Sequence, residues 1–352
     1  MDDVYVGLDV HKHTVVATAL DGNGKRISQA KFGPTNSEMV AYLDGLPGNK
    51  HVALEACSVW EHYFDAAAST GAHVVLSHPK KTRLISEATL KTDKVDSEAL
   101  AELQRLKGLP LAYAPDPHTR ALRDLVRERI FYLQKEVAIR NRVYCYLNMK
   151  GIPFEPGILS LKRKRQDLRH HGLEVVDRAL DLLDSVNETT YRLDKRLKEE
   201  AERSREAQLL MSIPGVGVVT AVSLVAFLCP IDRFSSIDAC SAYCGLCPTV
   251  SQSGDWTYRG HLTQDCNQIL RWVLVEASWG ARKYDPRGPV ARAGSRTARK
   301  KGSGRGAVAA AHKLMKICYA VLQRGTPYQH HAPESNGRRT PAAEWVTTAA
   351  SN

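Results

Sequence analysis

Val4-Tyr5-Val6-Gly7-Leu8-Asp9-Val10 is the stretch that decides the fold, because it combines β-branched and aromatic residues with one carboxylate near its end. Such a run predicts a buried strand, and an unpaired charge inside a sheet is costly. Asp9 must therefore meet a cation or lie at an open edge of the sheet.

Three further acids are candidate partners for Asp9. Glu55 lies near the end of a second short apolar run, and Asp93 and Asp96 stand at the start of a helical pattern. Their i, i+3 spacing places Asp93 and Asp96 on one helix face. Four carboxylates on two strands and a helix are a suitable ligand set for Mg²⁺, or for Mn²⁺, beside a phosphate.

Each acid also has an alternative explanation that involves no metal site. A Gly-x-Asp strand begins the phosphate loop of actin and sugar-kinase folds, but that loop needs Gly and a hydroxyl after the acid, whereas His11 and Lys12 follow Asp9. Glu55 could instead lie at a solvated strand end. Asp93 and Asp96 could instead be charges at a helix N-terminus that the helix dipole stabilises. The joint order of the four acids favours the metal site.

The order of elements predicts a ribonuclease-H-like α/β domain. Residues 13–20 form a second β-rich run, the turn signal Asp21-Gly22-Asn23-Gly24 follows, and residues 26–32 form a third run. Three antiparallel strands are therefore expected to open the domain. Helices and strands then alternate, in the predicted order of a helix over 37–46, the Glu55 strand, a helix over 60–70, a strand over 72–77 and a helix over 93–107.

Two long amphipathic helices are predicted next, over residues 119–150 and 173–197, and they are expected to form an antiparallel hairpin. Between them, at the tip of the hairpin, lies the basic cluster Lys162-Arg163-Lys164-Arg165. This cluster is suited to gripping phosphates, although a solvated loop is the alternative interpretation.

A turn between two helices follows at Ile213-Pro214-Gly215-Val216-Gly217. In a helix-hairpin-helix turn, Gly215 and Gly217 would let backbone N–H groups approach a phosphate, whereas an ordinary turn between core helices fits the same pattern. Residues 245–254 are predicted to be a polar loop, and the residues alone make Ser253 a turn serine. A further helix is expected over residues 267–282.

The segment from Arg282 to Arg305 contains nine Lys or Arg, one acid and several glycines. It is predicted to be a flexible nucleic-acid-binding arm without regular structure, or else a soluble linker. Its phosphate-binding candidates are Arg296, Arg299, Lys300 and Lys301. A final amphipathic helix is predicted over residues 307–322, and a disordered tail follows it.

The composition limits the partners and the surroundings of the protein. The net charge of +11 and the pI near 9.2 indicate an acidic partner, nucleic acid before membrane. No signal peptide or long apolar span is visible, and the eight scattered cysteines are expected to be reduced thiols in a cytoplasm. Cys240, Cys244 and Cys247 lack the paired C-x-x-C elements of a zinc site, so Cys240 and Cys244 are expected to be small apolar residues on a helix face.

Six short motifs stand in one order along residues 1–324. They are Gly7-Leu8-Asp9-Val10-His11-Lys12, Leu54-Glu55-Ala56, Lys91-Thr92-Asp93-Lys94-Val95-Asp96, Ile213-Pro214-Gly215-Val216-Gly217, Gly245-Leu246-Cys247-Pro248 and Ser253-Gly254. Together they resemble the DEDD transposases of insertion-sequence family one-ten, and they are similar also to the Piv DNA invertases.

The resemblance implies a domain layout and roles for particular residues. It implies a RuvC-like domain over residues 1–114, a helical coiled-coil hairpin over 115–204, a mostly α C-terminal transposase domain over 205–325 and a disordered tail over 326–352. Asp9 and Glu55 match the first two acids of the family, and Asp93 and Asp96 match its closing Asp-x-x-Asp. Ser253 matches the serine of the C-terminal domain, with Ser251 as the competing assignment.

Further matches and departures lie around that serine. Gly260, Leu270 and Arg271 match a Gly and Leu-Arg pattern that is interpreted as structural or as phosphate-binding, and Arg259 and Arg271 are nucleic-acid-binding candidates. Asp255-Trp256 and Cys266 depart from the family pattern, which has small or glycine residues there.

The resemblance also implies a function. The expected activity is that of a transposase or site-specific recombinase, guided by a structured bridge RNA, which cuts and rejoins donor and target DNA through a covalent phosphoserine while the carboxylates hold Mg²⁺. The expected assembly is a dimer or tetramer in a bacterial cytoplasm, without a membrane. Two alternatives are a resolvase-like nuclease that uses metal-activated water without the serine, and a non-catalytic nucleic-acid scaffold.

Overall fold

The computed structural model describes residues 2–85, 93–253 and 256–329. The chain folds into two compact units, Met1–Asp116 and Pro117–Asn352. The finer domain boundaries expected at residues 114, 204 and 325 stay predictions.

The first unit is built on a six-stranded sheet with the order β3-β2-β1-β4-β5-β6. Its strands are β1 Asp3–Val10, β2 Val15–Leu20, β3 Arg26–Phe32, β4 Asn49–Glu55, β5 His73–Ser77 and β6 Leu111–Ala112. Strands β1, β2 and β3 pair antiparallel, which confirms the predicted opening of the domain, while β4 pairs parallel with both β1 and β5. The two-residue strand β6 was not predicted.

Helices cover both faces of this sheet. They are α1 Asn36–Asp44, α2 Trp60–Ser69, α3 Pro79–Ile85 and α4 Asp93–Arg105, of which only α3 was not predicted. Alternate residues of β1, among them Val6 and Leu8, pack with Met39 of α1 and Tyr63 of α2 in one apolar core. Helix α4 lies against β1, β2 and β4. Because strand side chains alternate, the β1 residues between the core residues face α4.

The second unit begins with the predicted helical hairpin, which consists of α5 Pro117–Met149 and α7 Glu174–Arg203. The start of α5 shares a core with the end of α7, and the end of α5 shares another with the start of α7, so the two helices run antiparallel as predicted. Asp194, which interrupts the apolar seam, pairs with Arg129 at 2.6 Å. The polar interruption is therefore satisfied across the hairpin.

The tip of the hairpin corrects one prediction. The basic cluster is not in a loop, because it begins the short helix α6 Lys162–Arg169. Arg165 is buried, donates to Asp184 at 3.0 and 2.7 Å and donates to the Leu159 carbonyl oxygen. A guanidinium that satisfies a carboxylate inside the protein stabilises this tip, and the loop interpretation is wrong.

The rest of the second unit is mostly helical. Its elements are α8 Arg205–Met211, α9 Val218–Leu228, the 3₁₀ turn Ile231–Arg233, α10 Ile237–Tyr243, β7 Pro248–Ser253, β8 Trp256–Leu262, α11 Gln268–Tyr284, α12 Pro289–Lys301 and α13 Ser303–Arg324. Helix α9 is the centre of this core, since nearly all of its side chains are apolar and most are buried. Cys240 and Cys244 are fully buried, as expected of small apolar residues.

The predicted flexible arm is wrong, because the segment forms helix α12 and the start of α13. Pro289 occupies the first turn of α12, where its missing N–H costs nothing. A Cβ on Gly294 would lie 3.1 Å from Ala310 Cβ, and one on Gly306 would lie 2.7 Å from Ala298 Cβ. These glycines allow two helices to touch closely, so the residues that suggested flexibility instead permit packing. The final helix was predicted and is confirmed.

The predicted disordered tail lies, from residue 330 onwards, outside the described residues. Among the residues that the structure covers, none of the helices is long and apolar enough to cross a membrane.

Candidate active site

Three of the four predicted acids face the same side of the sheet in the first unit. Asp9 follows Gly7 by two residues on β1, so it lies on the α4 face, away from the main apolar core. Glu55 follows Ala53 by two residues on β4, and Ala53 packs with Leu100 of α4. Since β1 and β4 are parallel neighbours, Asp9 and Glu55 come together where both strands end.

The electrostatics of Glu55 show that the acids are close. Burial raises the pKa of Glu55, and the nearby charges of Asp9 and Asp96 raise this pKa further, whereas His11 lowers it. A half-buried carboxylate among other carboxylates holds its proton more tightly, because its ionised form is repelled and poorly solvated. The negative charges of Asp9 and Asp96 therefore act directly on Glu55.

The position of Asp96 depends on a close approach between α4 and β1. A Cβ on Gly7 would lie 1.9 Å from the carbonyl oxygen of Ser97 and 2.7 Å from Ala101 N, so only glycine lets the helix backbone rest on the strand. The Ser97 and Thr18 hydroxyl oxygens are 2.7 Å apart in the buried interface, and Gln29 donates to Thr18 at 2.9 Å. This polar contact fixes α4 along the sheet, and with it Asp96.

The fourth acid, Asp93, begins α4, but its side chain lies outside the described residues. Within the described part of the chain, no three His, Cys, Asp or Glu side chains form a group that could hold a metal ion. A divalent cation nevertheless suits the chemistry of these side chains, because an added positive charge would offset the repulsion by which Asp9 and Asp96 raise the pKa of Glu55. Asp9, Glu55 and Asp96, with Asp93, are the residues that would hold it.

His11 is a neighbour of the site that the sequence did not single out. Its Nε2 lies 3.0 Å from Asp9 Oδ2, with the imidazole half exposed and the carboxylate largely buried. No sequence signal distinguished this contact, because it depends on the bend of the chain just after β1.

The predicted polar loop around Ser253 is instead an antiparallel hairpin of β7 and β8. Ser253 is the last residue of β7 and pairs with Trp256, while residues 254 and 255 at the tip lie outside the described residues. The side chains of Ser251, Ser253 and Arg259 are also outside what is described. The backbone therefore places Ser253 at the free end of a two-stranded ribbon.

The base of this hairpin is firmly anchored. Arg271 of α11 donates to the Thr263 carbonyl oxygen and lies 2.7 Å from Cys266 Sγ. Asn267 caps α11 by accepting from Leu270 N at 3.1 Å, and its own N–H donates to the Tyr243 carbonyl oxygen at 2.8 Å. Arg271 is thus engaged within the fold, which agrees with a structural role for the Leu-Arg pattern.

The glycine turn before α9 joins α8 to α9, as the sequence indicated. Gly215 has a φ of +86°, and a Cβ there would lie 2.1 Å from Ala281 N of α11, so the turn packs directly on that helix. Gly217 caps α9, and a Cβ on it would meet no atom within 4 Å. Phosphate binding at this turn stays a prediction.

A basic ridge runs along α12. We use this name for Arg292, Arg296 and Arg299, which are exposed and spaced i, i+4, i+7 on one helix face. They line a groove together with Lys313 of α13, and α12 itself contains no acid. Lys300 and Lys301 at the end of α12 are also exposed. Of the predicted tip cluster, Lys162 and Arg163 are exposed, and Lys164 lies 3.5 Å from Glu155.

Comparison with known families matches both parts of the chain. A family model for a DEDD transposase domain, described as "Transposase", matches residues 6–150, and a model described as "Transposase IS116/IS110/IS902 family" matches residues 207–291. The first match contains all four predicted acids, and the second contains the serine hairpin.

Similar curated proteins support the same conclusion over most of the chain. The transposase for insertion sequence element IS1111A of Coxiella burnetii is 23% identical over 94% of this chain and 92% of its own length. The transposase for IS1328 of Yersinia enterocolitica is 23% identical over 92% of this chain and 98% of its own length. The transposase for IS1533 of Leptospira borgpetersenii is 27% identical over 78% of this chain and 84% of its own.

The two family models match the sheet unit and the serine hairpin in the order that the motifs predict, and the similar transposases span nearly the whole chain. The chain therefore belongs to the IS110 family of insertion-sequence transposases, enzymes that cut and rejoin DNA.

Proposed function

We propose that this transposase cuts and rejoins DNA through a covalent bond between Ser253 and a phosphate. The first unit, which is RuvC-like, and the second unit, which carries the serine, both take part in the reaction. The observation that supports the proposal is that Asp9 and Glu55 follow paired residues at the ends of neighbouring parallel strands, with Asp96 near enough to raise the pKa of Glu55. Carboxylates gathered at the ends of two strands and on one helix are the expected ligand set for Mg²⁺ or Mn²⁺ beside a phosphate.

Each carboxylate has a task that follows from its position. Asp9 and Glu55, at the ends of rigid parallel strands, define the floor of the site, and α4 holds Asp96 across from them. A divalent cation bound there would neutralise charge on the phosphate and lower the pKa of an attacking hydroxyl. Glu55 must lose its proton for that binding, so its raised pKa links occupancy of the site to pH.

The serine step balances without a nucleotide cofactor. Ser253 Oγ would attack the phosphorus as its proton leaves, forming an Oγ–P bond while the bond from phosphorus to one sugar oxygen breaks, and that oxygen takes a proton. The reverse attack by a sugar hydroxyl of another strand releases the serine and rejoins the DNA. The bond energy is conserved throughout, since one phosphodiester replaces another.

We also propose that the active form is a homo-oligomer, a dimer or a tetramer, in which the acids of one subunit serve the serine of another. Large apolar side chains stay exposed along the helical hairpin and supply a surface for pairing, namely Phe131, Val137, Leu182 and Tyr191. Mixing inactive Asp9→Asn protein with inactive Ser253→Ala protein should restore activity if the site is shared. Two variants that never complement would place both halves in one subunit.

A structured bridge RNA is the proposed source of sequence specificity. The net charge of +11 and the exposed basic ridge favour binding to phosphates, which carries no sequence information by itself. Base pairing by an RNA would supply that information. Recombination of matched DNA by RNA-free protein, at the rate seen with the RNA transcribed from the flank of the element, would contradict this part of the proposal.

The experiment that tests the serine uses two matched variants. Ser253→Ala should abolish strand exchange while RNA and DNA binding persist, and Ser251→Ala, two residues earlier on the same strand, should retain exchange. Loss of exchange in Ser251→Ala alone would transfer the role to Ser251.

A metal-dependent nuclease that needs no serine is the second candidate, because the three described carboxylates come together within the first unit alone. It predicts that Ser253→Ala still cleaves branched DNA and that products carry no protein. The non-catalytic scaffold is set aside, since the family is one of enzymes.

A further inference from the structure

Two aromatic side chains on β8 are exposed to an unusual degree. Trp256 is 84% exposed and Tyr258 is 69% exposed. Neither ring stacks on another ring or on a cation of the residues that the structure describes. Apolar rings of this size are normally covered by the fold, so an exposed pair on one strand indicates a surface that binds something else.

The strand register places these rings on the serine face of the hairpin. Ser253 pairs with Trp256, and Ser251 pairs with Tyr258. Directly opposite residues of an antiparallel pair share a face, and so do alternate residues of one strand. All four positions therefore lie on one face of the ribbon.

The spacing of the two rings suits nucleobases. Alternate residues on an antiparallel strand are about 6.8 Å apart, which is twice the rise of about 3.4 Å between stacked bases. This backbone spacing leaves room for one base between two such rings.

We propose that Trp256 and Tyr258 form a stacking platform for unpaired DNA bases next to the phosphate that the serine attacks. The position of that phosphate rests on the proposed serine function, whereas the stacking itself does not. Strand exchange requires bases to leave one duplex before they enter another, and unstacked bases are stabilised by aromatic rings. Every base has a π-face, so such a platform holds any sequence.

The test measures binding of the full-length protein to a labelled single-stranded oligothymidine of about 16 nucleotides, without divalent cations. Trp256→Ala and Tyr258→Ala should each weaken binding by about 5- to 150-fold, and Trp256→Phe should retain most of the affinity. The matched control is Trp272→Ala, which removes an exposed tryptophan of α11 and should leave affinity unchanged.

A double-mutant cycle makes the test specific for stacking. Replacing one base of a recombination substrate by an abasic site should weaken binding to the wild type but cause little further loss in Trp256→Ala. Unchanged affinity in both alanine variants would overturn the platform, as would fully additive effects of ring and base. A change in oligomeric state at unchanged DNA affinity would do the same, because it would make the rings a protein interface.

The platform and the serine can fail separately. Ser253→Ala should keep the wild-type affinity for single-stranded DNA, because no ring is altered. If Trp256→Ala loses affinity and the wild type forms no serine adduct, the stacking platform is supported and the serine mechanism is contradicted. If the wild type forms a serine adduct and both Trp256→Ala and Tyr258→Ala keep the wild-type affinity, the serine mechanism is supported and the stacking platform is contradicted.

Discussion

The contact between Gly7 and α4 offers a sharp test of how the acids are held. In Gly7→Ala, the added Cβ would lie 1.9 Å from the carbonyl oxygen of Ser97 and 2.9 Å from Leu100 Cβ. An ordinary contact between carbon and oxygen is about 3.3 Å, so α4 must move by about 1.4 Å at Ser97. The obstacle is helix backbone, which cannot turn aside as a side chain can.

That displacement should affect stability and activity differently. Overpacking of this kind costs about 1–3 kcal/mol in the free energy of unfolding. Because Asp96 adjoins Ser97, it would move with α4 relative to Asp9, and a misplacement of about 1 Å at a reacting centre costs about 100-fold in rate. We therefore expect Gly7→Ala to stay folded and to lose about 100-fold or more in DNA cleavage.

The assay compares Gly7→Ala with Gly33→Ala under saturating Mg²⁺. A Cβ on Gly33 would meet no atom within 4 Å, so this control should keep both stability and activity. Denaturation in urea and cleavage of a labelled donor give the two readouts. Wild-type stability together with wild-type cleavage in Gly7→Ala would refute the close approach of α4 and the role that we assign to it.

Three further predictions concern stability, pH and salt. Arg165→Ala should lower the free energy of unfolding by about 2–3 kcal/mol in a urea titration, because it removes charged hydrogen bonds to Asp184. Arg163 is exposed, so Arg163→Ala should change the free energy of unfolding by less than about 0.5 kcal/mol. In metal-free protein the folded state binds the Glu55 proton more tightly than the unfolded chain does. Protonated Glu55 therefore adds to the free energy of unfolding at low pH, and this contribution is lost as pH rises through the raised pKa. Glu55→Gln should flatten that part of a thermal denaturation profile, and an unaltered profile would count against the carboxylate cluster. Replacing the three arginines of the basic ridge by alanine should reduce the slope of log affinity against log salt for duplex DNA by about 2.7, and an equal slope would show that the ridge does not contact phosphates.

The first unit was largely predictable because its signals are local. The β-branched runs, the Asp21-Gly22-Asn23-Gly24 turn and the alternation of helix and strand predicted the antiparallel opening and the later order of elements, which the structure confirms. The convergence of Asp9 with Glu55 followed from their places at strand ends. The role of Gly7 was not visible, because a close approach by α4 depends on which face of the sheet the helix covers.

The second unit shows where local signals mislead. Glycines between Arg282 and Arg305 suggested a flexible arm, yet Gly294 and Gly306 face another helix, a distinction that only tertiary packing makes. No signal in the sequence showed that Arg165 of the basic cluster is buried against Asp184, because that partner lies on a different helix. Residues 245–254 were predicted to be a polar loop, but residues 248–253 form β7, because pairing with β8 outweighs the local Gly and Pro signals.

The serine mechanism is tested most directly by trapping the DNA on the protein. Full-length protein would be incubated with Mg²⁺, the RNA from the flank of the element, and donor and target DNA, then denatured, digested and analysed by mass spectrometry for a nucleotide-bearing peptide. We predict a covalent adduct at Ser253 that is absent in Ser253→Ala and in Asp9→Asn. Cleaved and rejoined DNA without any adduct, or an adduct at Ser251, would contradict the assignment.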